Sequence, residues 1–166
     1  MSKRLANALF FFLENLGAGI WVGALATFGF AVAAPVFRNL ASLTQAGSIT
    51  AIILHRINLM ETVAATLMAV SALVFLLQKS QRTPIRLAKT AVVVLMTMTF
   101  LYYGLILMNR LEHLRTEEIR DFDQLSATAQ VARDEFDRLH TLYTQLAKAN
   151  LCMGIGFLLL SAFEKK

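Results

Sequence analysis

His55, Glu61 and His140 are the side chains with which this sequence could do chemistry. The first two lie in HRINLME, residues 55–61, at the edge of a long apolar run, beside Arg56 and Asn58. An unpaired charge in hydrocarbon costs roughly 2.5–3.5 kcal/mol on insertion scales. These groups must therefore sit at a membrane surface or face something polar inside the protein. Imidazole and thioether ligands suit copper, and histidine with carboxylate suits zinc. With Met60 and Met153 near them, His55, Glu61 and His140 form a candidate metal set. A bis-histidine haem between His55 and His140 needs facing ligands. Asn58 and Glu61 could instead line an ion or proton path. Against the metal reading stands the absence of any His-x-x-His, Met-x-x-Met or Cys-x-x-Cys spacing. Single histidines near helix ends are commonly interfacial, and methionines commonly fill gaps.

Enzyme signatures are absent too. The chain has no glycine-rich phosphate loop, nucleophile elbow or His-Glu-x-x-His. Asp134, Glu135 and Asp137 form an acidic run that reads as a solvated helix face. The expectation is a non-enzymatic protein.

The elements that must position these residues are membrane spans. The 166 residues are 57% hydrophobic, with a mean hydropathy of +0.57, above the ~45–50% apolar content of soluble domains. Spans are expected over residues 16–37, 57–77, 87–108 and 146–163, close to the ~20 residues a bilayer needs. Together they make one membrane domain over 1–166, an all-α integral membrane four-helix bundle. The run through residues 16–37 exceeds the ~7–15 residues of a signal-peptide core, so the first helix is expected to be retained. Cys152 is the single cysteine, so no intrachain disulfide can form.

The net charge of +5 is explained by topology rather than by nucleic acid. Lys3, Arg4, Lys79, Arg82, Arg86, Lys89, Lys165 and Lys166 all fall on one side of a four-span chain, opposed only by Glu14 and Glu164. The positive-inside rule then places both termini in the cytoplasm, and the expected address is a bacterial inner (plasma) membrane. Residues 109–145 carry apolar side chains at helical spacing and no proline. Helices 3 and 4 are therefore expected to continue as an extramembrane antiparallel hairpin. Residues 121–127 would turn it, with Asp123 or Ser126 as N-cap.

Small residues mark the expected packing faces. Gly19, Gly23, Thr27 and Ala31 recur at a four-residue step on helix 1, a spacing that lets helices approach closely in lipid. Within one chain this means intramolecular packing; self-association is the sharper alternative. On helix 2, Asn58, Thr62, Ala65 and Ala69 share a side with Glu61 at its edge, and such a face points into a bundle. Glu61 would be protonated or paired with Arg56 or Arg38. Pro35 should end or kink helix 1.

Trp21-x-Gly23 leading to Ala34-Pro35-x-Phe37, then Gly47 in a loop before the second helix, resembles a family of small four-helix membrane proteins of unknown function, similar to transmembrane-protein-205-like proteins. Phe136-x-x-Leu139-His140 and Asn150-Leu151 extend the likeness, and His55 departs from it, standing where a Phe is expected before the Arg. More distantly, the chain is similar to copper-resistance-D-like proteins. The resemblance implies a four-helix bundle and no defined reaction. The functional expectation is an accessory or assembly subunit of a larger membrane complex or an oligomer. Its partners would be the bilayer and other membrane subunits or further copies. The alternative is copper, zinc, haem, ion or proton handling by His55, Glu61 and His140.

Overall fold

The computed structural model describes residues 3–78, 83–126 and 129–164. Lys79, Arg82, Lys165 and Lys166, used for the topology, and Ala127 of the expected turn lie outside them. The chain forms four helices: α1 Lys3–Asn39, α2 Leu43–Leu77, α3 Pro84–Ile119 and α4 Gln130–Ala162. Each is long and apolar enough to cross a membrane. No strand occurs among the described residues. At 1.5 Å per residue each helix is about 50–55 Å long, well beyond a hydrocarbon core of about 30 Å.

Local chemistry sets the helix starts. The Ser42 hydroxyl accepts from the Gln45 amide at 3.1 Å and opens α2. Thr83 does the same for Arg86 at 3.2 Å, with Pro84 in the first turn where its missing N–H costs nothing. α2 therefore begins at Leu43 rather than at residue 57. Residues 43–56 contain no breaker beyond Gly47, so the expected loop is about four further helical turns. Pro35 does not end α1. The ladder widens into a π-helical turn over Phe28–Ala33 and resumes over Ala34–Asn39. A change of pitch is one way a helix absorbs a proline. Two further π-helical turns, Tyr102–Leu107 and Leu114–Ile119, interrupt α3. Arg120, at φ 59°, stops it.

Consecutive helices are neighbours, and α4 returns to α1, closing a four-helix bundle. Gly17 lets α1 and α2 approach closely: a Cβ there would meet Met68 Cγ at 2.8 Å and the Ala64 carbonyl at 2.9 Å. The core includes Ala18, Trp21, Ala64, Met68, Met96, Phe100, Tyr103 and Phe157. Outside, large apolar side chains such as Phe12, Leu73, Met98, Ile106 and Leu159 stand exposed on all four helices. Apolar groups outward and polar groups inward is the pattern of a bundle immersed in lipid. At the end opposite the termini, Leu114, Ile119 and Ala132 form a second small core against Phe122, Phe136 and Leu139. Arg110 grips Glu135 with two 2.9 Å bonds beside it, so α3 and α4 remain in contact there.

Candidate functional site

Four wholly buried side chains, one from each helix, meet in the core: Trp21, Glu61, Tyr103 and Asn150. Glu61 Oε1 accepts from the Trp21 indole N–H at 2.7 Å and from the Tyr103 hydroxyl. Asn150 Nδ2 donates to the Tyr103 hydroxyl at 3.3 Å and to the Met96 carbonyl at 3.1 Å. One step away, the Tyr143 hydroxyl donates to Asn58 Oδ1 at 3.3 Å, and Asn58 Nδ2 donates to the Gly104 carbonyl at 3.4 Å. That carbonyl lies in the π-helical turn Tyr102–Leu107, where the altered ladder leaves acceptors free for side chains. Edge-to-face contacts run from Trp21 to Phe100, Tyr103 and Tyr143, at 5.7, 5.7 and 5.1 Å between successive ring centres. Glu61 Oε2 and Asn150 Oδ1 are buried without a hydrogen-bond partner among the described residues. The expected pairing of Glu61 with Arg56 or Arg38 is not made. Both arginines are exposed, and Glu61 forms no ion pair among the described residues.

The end nearest the termini holds an ionic clamp. Lys89 Nζ lies 2.5 Å from Glu14 and 2.8 Å from Glu164. Arg86 also pairs with Glu164, lies 3.5 Å from Glu14, and lays its guanidinium 3.4 Å over the Phe75 ring. Read from sequence as topology markers, Arg86 and Lys89 are thus tied into α1, α2 and α4. At the other end, Asp123 caps α2 rather than α4. Its carboxylate accepts from the Ser42 hydroxyl at 2.5 Å and from the amides of Leu43 at 2.6 Å and Thr44 at 3.3 Å. These bonds hold the Asp123 carboxyl below its usual range. Ser126 accepts from the Ala129 amide at 3.2 Å, just ahead of α4.

The candidate metal set is not assembled. Among the described residues, no three of His, Cys, Asp and Glu are grouped to hold an ion. Glu61 is turned into the core, whereas His55, six residues earlier and about 240° around the helix, is exposed. His140 is exposed and stacks on Phe136 at 5.8 Å. It lines a cavity of about 660 Å³ between α1, α2, α3 and α4; His55 is not among the lining residues. Free Cys152 is exposed.

The small-residue faces are corrected as well. Gly19, Gly23, Thr27 and Ala31 all face outward, and a Cβ at Gly19 or Gly23 would meet nothing within 4 Å. The inner face of α1 is instead Glu14, Gly17, Ala18, Trp21, Ala24 and Leu25. On α2, Ala65 is buried and Asn58 half-buried, but Thr62 and Ala69 are exposed. The buried stripe there runs through Ile57, Glu61, Ala64, Met68, Ser71 and Phe75, so Glu61 stands at its centre.

Trp21, Tyr103 and Asn150 were not foreseen as partners of Glu61. The signal available was that all four are isolated polar-tipped residues within apolar spans. No curated protein and no solved structure matches the chain. The match that exists covers α1 from Leu16 through the end of α3, and so includes Trp21, Glu61 and Tyr103 but not Asn150. Over residues 16–120 the sequence fits the model of a domain of unknown function (DUF4149), and the chain belongs to that family.

Proposed function

We propose that this is a non-enzymatic membrane protein that acts by association in the plane of the bilayer, as an accessory or assembly subunit or as an oligomer. One observation carries the reading: the small-residue face Gly19, Gly23, Thr27 and Ala31 is presented outward. Only 11% of the most apolar stretch of α1 is buried in the bundle, against 22% for α4 and 39% for α2 and for α3. Small residues four apart are the face on which a second transmembrane helix packs closely, and the chain's own helices leave that face uncovered. The polar core serves this reading as an internal lock that keeps the four helices in one register.

Several finer expectations belong to the same proposal. They are a single membrane domain in a bacterial inner membrane, cytoplasmic termini, and an extramembrane end to the α3–α4 pair. The kinship with transmembrane-protein-205-like proteins, and more distantly with copper-resistance-D-like ones, belongs to it too.

The test is extraction in a mild detergent, sizing, mass spectrometry of co-purifying chains, and metal and absorbance analysis of the same sample. Stoichiometric foreign subunits or a defined oligomer are expected, lost in the Gly19→Leu/Gly23→Leu variant while its melting temperature holds. A lone monomer in both forms would overturn the proposal. A second reading, ion or proton handling through Glu61, draws on its oxygen Oε2, buried without a partner among the described residues. Proton flux into protein-loaded vesicles that disappears with Glu61→Gln would favour it.

A further inference from the structure

The end of α1 stands off the bundle. None of the residues Phe28–Asn39 is buried. This segment leans on the start of α2, and the 660 Å³ cavity opens behind it. That volume falls in the roughly 300–1,000 Å³ range of small-molecule sites. Two walls are apolar: Leu25, Phe28 and Phe37 from α1, with Leu43, Ala51 and Leu54 from α2. The α4 wall is different. It presents Arg133, His140 and Lys148, spaced seven and eight residues apart and so on one helix face.

The charged groups around the cavity are unequal. From α3 come Glu112 and Arg115; from α4 come Arg133, Asp137 and Lys148, with His140 between them. Glu112 is held by Arg115 at 2.6 Å and Asp137 by Arg133 at 2.9 Å. Lys148 has no ion pair or hydrogen bond from its side chain among the described residues. The cavity therefore combines two greasy walls with one uncompensated cation on the third, whose aliphatic stem can lie along apolar surface while the ammonium meets a polar partner.

We propose that the cavity between the end of α1 and α4 binds one bilayer lipid with an anionic headgroup, its chains against α1 and α2 and its negative group on the Lys148 and His140 wall. A neutral lipid would match the apolar walls but leave Lys148 unanswered. An anionic one satisfies both, through a charge-assisted contact. This inference rests on the inner side of α1, not on the outward face assigned to association above.

The test uses the full chain reconstituted in phosphatidylcholine vesicles doped with phosphatidylglycerol, extracted in a neutral detergent, with retained lipids counted by native mass spectrometry. One retained phosphatidylglycerol per chain is expected, enriched about tenfold over its share of the vesicle, as one charge-assisted contact allows. Lys148→Gln, at an exposed position that leaves the fold intact, should bring the enrichment close to unity. Gly47 lines the same cavity and a Cβ there meets nothing within 4 Å. Gly47→Ala should therefore retain lipid as the native chain does, and Gly47→Trp should fill the space and retain none. Retention without headgroup preference, or enrichment that survives Lys148→Gln or Gly47→Trp, would overturn the proposal. So would a dimer that forms without retained lipid and is broken by Gly47→Trp, because that would assign the cavity to a second copy.

Discussion

Replacing Glu61 tests whether the polar core acts as a lock. In Glu61→Ala the Trp21 N–H loses its acceptor and the Tyr103 hydroxyl loses one of its two partners. The indole is a donor only, and no second acceptor for it occurs among the described residues. Hydrogen bonds between membrane helices average about 0.6 kcal/mol and reach about 1.7. A buried donor left unmade costs about 1–3 kcal/mol. Two such losses put Glu61→Ala about 2–6 kcal/mol below the native protein. Glu61→Gln keeps an acceptor oxygen facing Trp21 and Tyr103 and pairs no worse with anything else, because Glu61 has no cationic partner among the described residues. It should cost under about 1 kcal/mol. The assay is unfolding by SDS in mixed micelles, followed by the fluorescence of Trp21, the single tryptophan. Trp21→Phe, followed by circular dichroism, completes a double-mutant cycle, in which the Ala and Phe losses should be less than additive. If Glu61→Gln destabilises as much as Glu61→Ala, a carboxylate is needed where a neutral acceptor should suffice, and the lock argument fails.

The remaining predictions concern contacts elsewhere in the bundle. Gly17→Ala pushes a methyl into the Ala64 carbonyl, which cannot yield as a side chain can, and should cost about 1–3 kcal/mol in the same assay; Gly19→Ala, with open space around it, should cost nothing. Lys89→Met leaves Glu14 and Glu164 beside each other with only Arg86 between them, and should lower stability by about 3–5 kcal/mol, partly restored by adding Glu14→Gln. Because Asp123 is held below the ordinary aspartate range, its cap is fully present above about pH 4 and is lost as the pH falls through its lowered value. Protection of the amides at the start of α2, taken relative to their intrinsic exchange rate at each pH, should therefore fall on acidification in the native chain, and show no such step in Asp123→Asn.

The four helices were legible because each carries an apolar run long enough to span a bilayer, and hydropathy needs no knowledge of neighbours. Which face of each helix turns inward was much less so. α1 and α2 are apolar nearly all round, so nothing in their periodicity separates the Gly17–Trp21 face from the Gly19–Gly23 face. What decides is the partner: the Trp21 N–H needs the Glu61 carboxylate, and those residues lie forty positions apart in sequence. The cost of a carboxylate in hydrocarbon singles Glu61 out, yet the polar pattern of α2 puts it at the edge of a face, whereas it stands at the centre of the buried stripe. The early start of α2 was hidden by Gly47, read as a loop signal. The clamp was hidden because Lys89 and Arg86 fit the positive-inside rule whether or not they bind Glu14 and Glu164.

The Asp123 cap also fixes an order of events during synthesis. When α2 first emerges its opening amides have only Ser42, three residues from Gln45, to satisfy them. The carboxylate that later takes the Leu43 amide is eighty residues further along, a delay of about 4–16 s at roughly 5–20 residues per second. Through that interval the start of α2 is provisional, and it is closed only when the α3–α4 connection arrives. The start of α2, which borders the cavity, is thus settled only after α3 has been made, and lipid from the surrounding bilayer can reach that end before the connection is tied down.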